Sequence, residues 1–132
     1  MGTKVKVKNG PSILELEEVV IGSQLRIALL CERQISEDPD VFEPLDFDTL
    51  EIQADIKDKL KDVDVDASFI CTPRGNLPED AGWVDLMLDG TVSGTLLEKI
   101  YEASVKVWPV GEPEHGDTLT IITMPLKYRA TR

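Results

Sequence analysis

The chain has 132 residues, of which 42% are hydrophobic and 5% aromatic, and its formal net charge is -11 at pH 7. A chain of this length is typical of one domain, and its apolar content lies above that of disordered sequences. The acidic balance excludes nucleic acid and anionic membrane surfaces as favoured partners, because both attract basic proteins.

The first predicted element is a short N-terminal strand in which Lys4, Lys6 and Lys8 alternate with valines. Lysines on a terminal strand are typical of a protected sheet edge. The same segment, residues 1–9, is also suited to a subunit contact, since its lysines can meet carboxylates of an otherwise acidic neighbour. The pattern leaves both arrangements open, an edge strand of its own sheet or an assembly arm. We take the three lysines as predicted partner contacts.

The longest apolar strand is predicted at residues 23–33, after a short alternating segment at residues 13–17. The residues on its apolar face are Leu25, Ile27, Leu29 and Cys31. Residues 34–48 then break the alternation with clustered aspartates, glutamates and two prolines. We expect a long acidic loop there, of a length that is often functional.

The rest of the chain predicts strands separated by turns. The predicted strands are residues 49–57, 63–71, 83–88, 101–107 and 118–128, with a turn or single helical turn within residues 91–99. Clusters of glycine, proline and aspartate stand between them, as in β-hairpins. The spacing predicts an all-β fold, an antiparallel immunoglobulin-like β-sandwich, with residues 1–132 as a single domain.

The apolar phases of these strands predict the core. The residues expected to be largely buried are Leu25, Ile27, Leu29, Val63, Val65, Phe69, Leu86, Leu88, Tyr101, Val105 and Leu119. Cys31 and Cys71 lie within strand patterns without metal-ligand spacing, and we expect two buried free thiols.

No set of residues in the sequence predicts catalysis, a metal site or a cofactor. The aspartates of residues 62–66 resemble the start of a calcium loop, but Ala67 and Pro73 stand where that loop needs glycine and glutamate. His115, the one histidine, lies in a predicted hairpin tip without a recognisable nucleophile beside it in sequence. We therefore expect a protein that is not an enzyme. No apolar stretch approaches the length of about 18 residues that a membrane span needs.

Trp108 is the most unusual of the large side chains, because it shares the polar phase of its strand with Lys106. A tryptophan in that position packs at the rim of its own domain or contacts another subunit. We take Trp108 as a fourth predicted partner contact, beside the lysines of residues 1–9.

From about residue 20 onward, the chain resembles a family of small β-sandwich domains in bacteriophage tail and baseplate proteins. The similarity lies in an order of strands and turns. Its segments are residues 22–27 (GSQLRI), 44–52 (PLDFDTLEI), 82–88 (GWVDLML), 95–97 (TLL), 100–105 (IYEASV), 116–119 (GDTL) and 126–132 (LKYRATR). The acidic residues 34–43 and the lysine-alternating N-terminus depart from the family pattern.

The resemblance implies a structural role in a virion, most often in the tail or baseplate, without enzymatic activity. It implies assembly in the host cytoplasm into homo-oligomers or rings, with other virion structural proteins as partners. The alternative is a stand-alone β-sandwich module that binds a ligand or a host surface through its loops. An assembly protein should form rings or bind other virion proteins, whereas a ligand-binding module should stay monomeric and carry an aromatic-lined pocket.

Overall fold

A computed structural model describes residues 2–8, 12–37, 39–59 and 64–128. Within these ranges the chain forms ten strands, a four-residue helix and a 3₁₀ turn at Pro113–His115, so the prediction of an all-β fold is confirmed. The elements are β1 (Gly2–Lys8), β2 (Ser12–Glu15), β3 (Val19–Val20), β4 (Leu25–Glu37), β5 (Asp40–Pro44), β6 (Leu50–Lys57), β7 (Ala67–Pro73), β8 (Trp83–Leu88), α1 (Gly90–Ser93), β9 (Ile100–Pro109) and β10 (Asp117–Lys127). The described part of the chain has no helix with the length and apolarity of a membrane span.

The strands form a curled mixed sheet in the order β1-β4-β8-β7-β6-β9-β10-β2. β7 links its two halves: Ala67 and Phe69 pair with β6, whereas Cys71 and Pro73 pair with β8. Two further strands lie off this path, β3 beside β10 and β5 beside β4. The apolar faces of both halves contribute to one buried cluster.

The prediction of an exclusively antiparallel arrangement is wrong at both edges of the sheet. β1 runs parallel to β4, from Gly2 opposite Arg26 to Lys8 opposite Glu32, and both β2 and β3 run parallel to β10. Antiparallel neighbours are usually joined by a hairpin. β1 and β2 are consecutive in the chain but lie at opposite ends of the strand order, so no hairpin sets their direction.

The prediction of a loop at residues 34–48 is wrong for most of its length, and residues 45–48 lie outside the strands as predicted. β4 continues to Glu37, the chain turns, and β5 returns antiparallel from Asp40 to Pro44. The register shifts between Gln34 and Ser36, where the ladder is irregular. We call residues 33–43 the β4–β5 hairpin. This acidic segment lacks the regular alternation of apolar and polar residues that predicts a strand, because a ribbon without a buried face does not require it.

Most of the predicted core is confirmed. The confirmed buried residues are Ile27, Leu29, Phe69, Leu86, Leu88, Tyr101, Val105 and Leu119. Leu25 is only half-buried, and Val63 lies outside the described residues. Val65 is 45% exposed, so its prediction is wrong. The reason is that β7 begins at Ala67, and residues 64–66 do not belong to the strand.

Both cysteines are free thiols, with Cys31 buried and Cys71 half-buried. Burial raises the pKa of the Cys31 thiol to about 12, and the neighbouring Cys71 adds to this shift. Burial likewise raises the pKa of Cys71 to about 11, with Asp55 contributing in the same direction. Both groups are therefore protonated at neutral pH.

We expect the native protein to resist alkylation by iodoacetamide at pH 8. Only the thiolate attacks, and with a pKa of about 12 the thiolate fraction of Cys31 at pH 8 is roughly 1000-fold below that of an ordinary cysteine. Mass spectrometry along a time course measures the modification, with the urea-unfolded chain as the reactive control. Equal rates in the native and unfolded states would show that the thiols are not protected.

Candidate interaction surfaces

The four predicted contact residues fall on two elements of the sheet. Lys4, Lys6 and Lys8 lie in β1, whose backbone pairs with β4 of the same chain, as an edge strand of its own sheet does. Trp108 lies near the end of β9, opposite Glu51 of β6. The register places Lys8 opposite Glu32 and Lys4 opposite Ala28. Glu32 and Trp108 line one cleft on the protein surface. Contact of these residues with a partner stays a prediction.

The β4–β5 hairpin extends beyond the rest of the sheet. The pairing of β4 with β8 ends at Leu30, and its pairing with β1 ends at Glu32. Beyond that point β4 pairs only with β5 among the described strands. An ion pair of 2.6 Å between Arg33 and Glu43 joins the two strands near the base of the hairpin.

The hairpin carries exposed apolar side chains. Ile35 is 54% exposed and Val41 is 38% exposed. A two-stranded ribbon is marginally stable in water, and exposed aliphatic groups on such a ribbon are typical of a contact surface. One signal in the sequence distinguishes this segment from a solvated acidic loop, namely its three large apolar residues Ile35, Val41 and Phe42.

Gly82 contacts the base of the β4–β5 hairpin through its backbone. Its carbonyl accepts the N–H of Cys31 at 2.8 Å, and the Cys31 carbonyl accepts the N–H of Leu45 at 2.9 Å. Gly82 has φ of 81°, and a Cβ added there would lie 2.8 Å from both the Cys31 carbonyl oxygen and the Pro44 Cβ. The close approach of β5 to the start of β8 therefore depends on the missing side chain.

A cleft of about 470 Å³ lies between the base of the hairpin and the turn that joins β9 to β10. We call it the Trp108 cleft. Its lining residues are Glu32, Arg33, Leu45, Leu50, Val107, Trp108, Pro109, His115, Asp117, Thr118 and Leu119. Three of them, Leu45, Val107 and Leu119, are buried members of the core cluster and give the cleft an apolar floor.

The indole of Trp108 is held in place on one wall of this cleft. Its Nε1 donates a hydrogen bond of 2.5 Å to the Glu51 carboxylate on the neighbouring strand. Asp117 and His115 are exposed at the cleft, and the His115 ring lies 3.8 Å from Glu114. An apolar floor with an ordered aromatic ring and a few polar groups is the usual composition of a binding site for a small group.

Within the described ranges, no group of three or more histidine, cysteine, aspartate or glutamate residues is arranged to hold a metal ion. No protein-family model matches the sequence, and no curated protein matches it significantly. The two surfaces above are therefore the basis for a functional interpretation.

Proposed function

We propose that the protein is a structural subunit of a bacteriophage or prophage virion, in the tail or baseplate, and that it assembles through the β4–β5 hairpin. One observation carries the assembly role: a hairpin that extends beyond the sheet and exposes Ile35 and Val41. The resemblance of the sequence to tail and baseplate β-sandwich domains supports the virion setting. Assembly would occur in the host cytoplasm, with further copies and other virion proteins as partners and without an enzymatic step.

An immunoglobulin-like sandwich is the finer fold that we propose. In that fold one sheet contains strands in the order A-B-E-D and the other C-F-G. The orders β4-β8-β7 and β6-β9-β10 correspond to B-E-D and C-F-G, with β1 and β2 at the outer edges. The shared core of both halves supports this assignment, and a rigid body of this kind suits a repeated structural subunit.

The proposed occupant of the hairpin surface is the β1 edge of a second copy. The hairpin segment contains Glu37, Asp38 and Asp40, whereas β1 concentrates three lysines in a chain with net charge -11. Among the described strands, none pairs with the outer edge of β1. Contact between two different surfaces is head-to-tail, so it builds a ring if the rotation closes and a filament if it does not.

A complementation experiment tests this interface. We expect the double variant Ile35→Ser/Val41→Ser to remain folded but to lose the concentration-dependent association of the parent chain, as measured by sedimentation velocity. The triple variant Lys4→Gln/Lys6→Gln/Lys8→Gln should lose association as well. Because each variant keeps the surface that the other lacks, a mixture of the two should form a heterodimer and nothing larger.

The control is Leu77→Ser, which removes a side chain that is more exposed than either hairpin residue, at 62%, from the segment between β7 and β8. It should associate like the parent. A parent chain that stays monomeric at all concentrations, or hairpin variants that associate normally, would contradict assembly through this surface.

A stand-alone ligand-binding module is the second candidate function. The observation that favours it is the Trp108 cleft, which is aromatic-lined and of the size of small-molecule sites. A monomeric parent chain in the same sedimentation experiment would favour this function over assembly.

A further inference from the structure

The charges around the Trp108 cleft favour a cationic ligand. Asp117 lines the cleft with an exposed side chain, and Glu51 holds the Trp108 indole at its wall. Arg33 also lines it, but its guanidinium is paired with Glu43 at 2.6 Å. His115 adds a positive charge only when it is protonated. In a chain with net charge -11, a cation is attracted to this site and an anion is repelled.

The shape of the cleft favours a cation that is carried on an apolar stem. Leu45, Val107 and Leu119 form a floor that cannot hydrogen-bond through their side chains, whereas the side chain of Asp117 is exposed. Lysine and arginine combine an apolar stem with a charged head, and the head interacts favourably with the face of an indole. A compact hydrated metal ion would interact only with the charged groups of this lining, and a neutral apolar molecule would interact only with its apolar floor.

We propose that the Trp108 cleft binds a lysine or arginine side chain of a partner protein, with the stem over the apolar floor and the charged head beside Trp108 and Asp117. The inference depends on the proposed function only in that the ligand belongs to another protein. The cleft shares only Arg33 with the β4–β5 hairpin, and its test measures ligand binding rather than self-association, so either proposal can fail without the other.

The indole N–H resonances in a ¹⁵N–¹H correlation spectrum provide the test. The probes are the peptides acetyl-Gly-Lys-Gly-amide and acetyl-Gly-Arg-Gly-amide, with acetyl-Gly-Gln-Gly-amide as the uncharged control and n-butylamine as a free cation. The chain has two tryptophans, and the variant Trp108→Phe assigns their two signals. The host is the parent chain at a concentration at which sedimentation velocity shows it to be monomeric, so that self-association does not mask the cleft.

We expect the basic peptides to shift the Trp108 signal saturably, with Kd of about 1–10 mM for a single side chain, while Trp83 is unchanged. Asp117→Asn should weaken binding about fivefold, the effect of one partly exposed charge pair. The matched control Asp64→Asn removes an exposed carboxylate elsewhere, and it should leave Kd unchanged. Binding should also weaken as salt is raised from 50 to 500 mM because exposed charges are screened.

Three results would overturn the inference. The first is that the glutamine peptide binds as well as the basic peptides, which would remove the role of charge. The second is that n-butylamine binds whereas the peptides do not, which would assign the cleft to a free amine. The third is that Asp117→Asn and Asp64→Asn weaken binding equally, which would reduce the effect to the overall charge of the protein.

Discussion

Replacing Val105 with aspartate should abolish cooperative folding. Val105 lies in the middle of β9, between Ala54 of β6 and Thr120 of β10, and its side chain is completely buried. A carboxylate at this position is surrounded by the apolar core without a cationic partner, and the penalty is at least several kcal/mol. A domain of this size is stable by only about 5–15 kcal/mol, so one such substitution is enough to unfold it.

The control for this substitution is Lys106→Asp, which places the same carboxylate on the next residue of the same strand. Lys106 is exposed, on the opposite face of β9, so this variant should stay folded with a small change in melting temperature. Circular dichroism during thermal unfolding, together with the yield of soluble protein, compares the two. A soluble Val105→Asp protein that melts cooperatively would show that the phase of β9 is assigned wrongly.

Replacing Gly82 with alanine should lower stability by about 3 kcal/mol. A residue with a side chain at φ of 81° costs about 1–2 kcal/mol. The new Cβ would also lie 2.8 Å from the Cys31 carbonyl oxygen and the Pro44 Cβ, and such overpacking adds about 1–3 kcal/mol. For a chain of this size the melting temperature should fall by roughly 10 °C.

Gly111→Ala separates the two causes of this effect. Gly111 has φ of 82°, almost the same backbone conformation, but an added Cβ would have nothing within 4 Å. It should therefore lose only the backbone contribution, about 1–2 kcal/mol, in the same thermal or urea unfolding experiment. Equal losses in both variants would show that the contact between β5 and β8 relaxes without cost.

The phases of the long strands could be predicted from sequence alone. Val105 and Tyr101 are buried and Lys106 is exposed, as the alternation in residues 101–107 indicates. The single helical turn at α1, Gly90–Ser93, overlaps the segment predicted at residues 91–99 and begins one residue before it. Both are local properties, because a strand alternates its side chains between two faces whatever strand it pairs with.

The candidate site was predictable only in part. The sequence singles out Trp108 as a predicted contact residue, since a tryptophan that shares the polar face of its strand with Lys106 is unusual. The sequence does not predict the cleft beside Trp108, because its other walls come from residues such as Leu45 and Leu119, which belong to other segments of the chain. The β4–β5 hairpin lies in a segment whose sequence predicts a loop, although Ile35 and Val41 are apolar residues within it.

The sequence by itself therefore determined the all-β composition, the inward faces of most strands and the acidic surface. The tertiary structure decided which strands are neighbours, that β1 and β2 run parallel to their partners, and that residues 33–43 form an extended hairpin. The physical reason is the range of the interactions. Side-chain alternation is set by each residue and its neighbours in sequence, whereas the pairing and direction of edge strands depend on contacts between segments far apart in the chain.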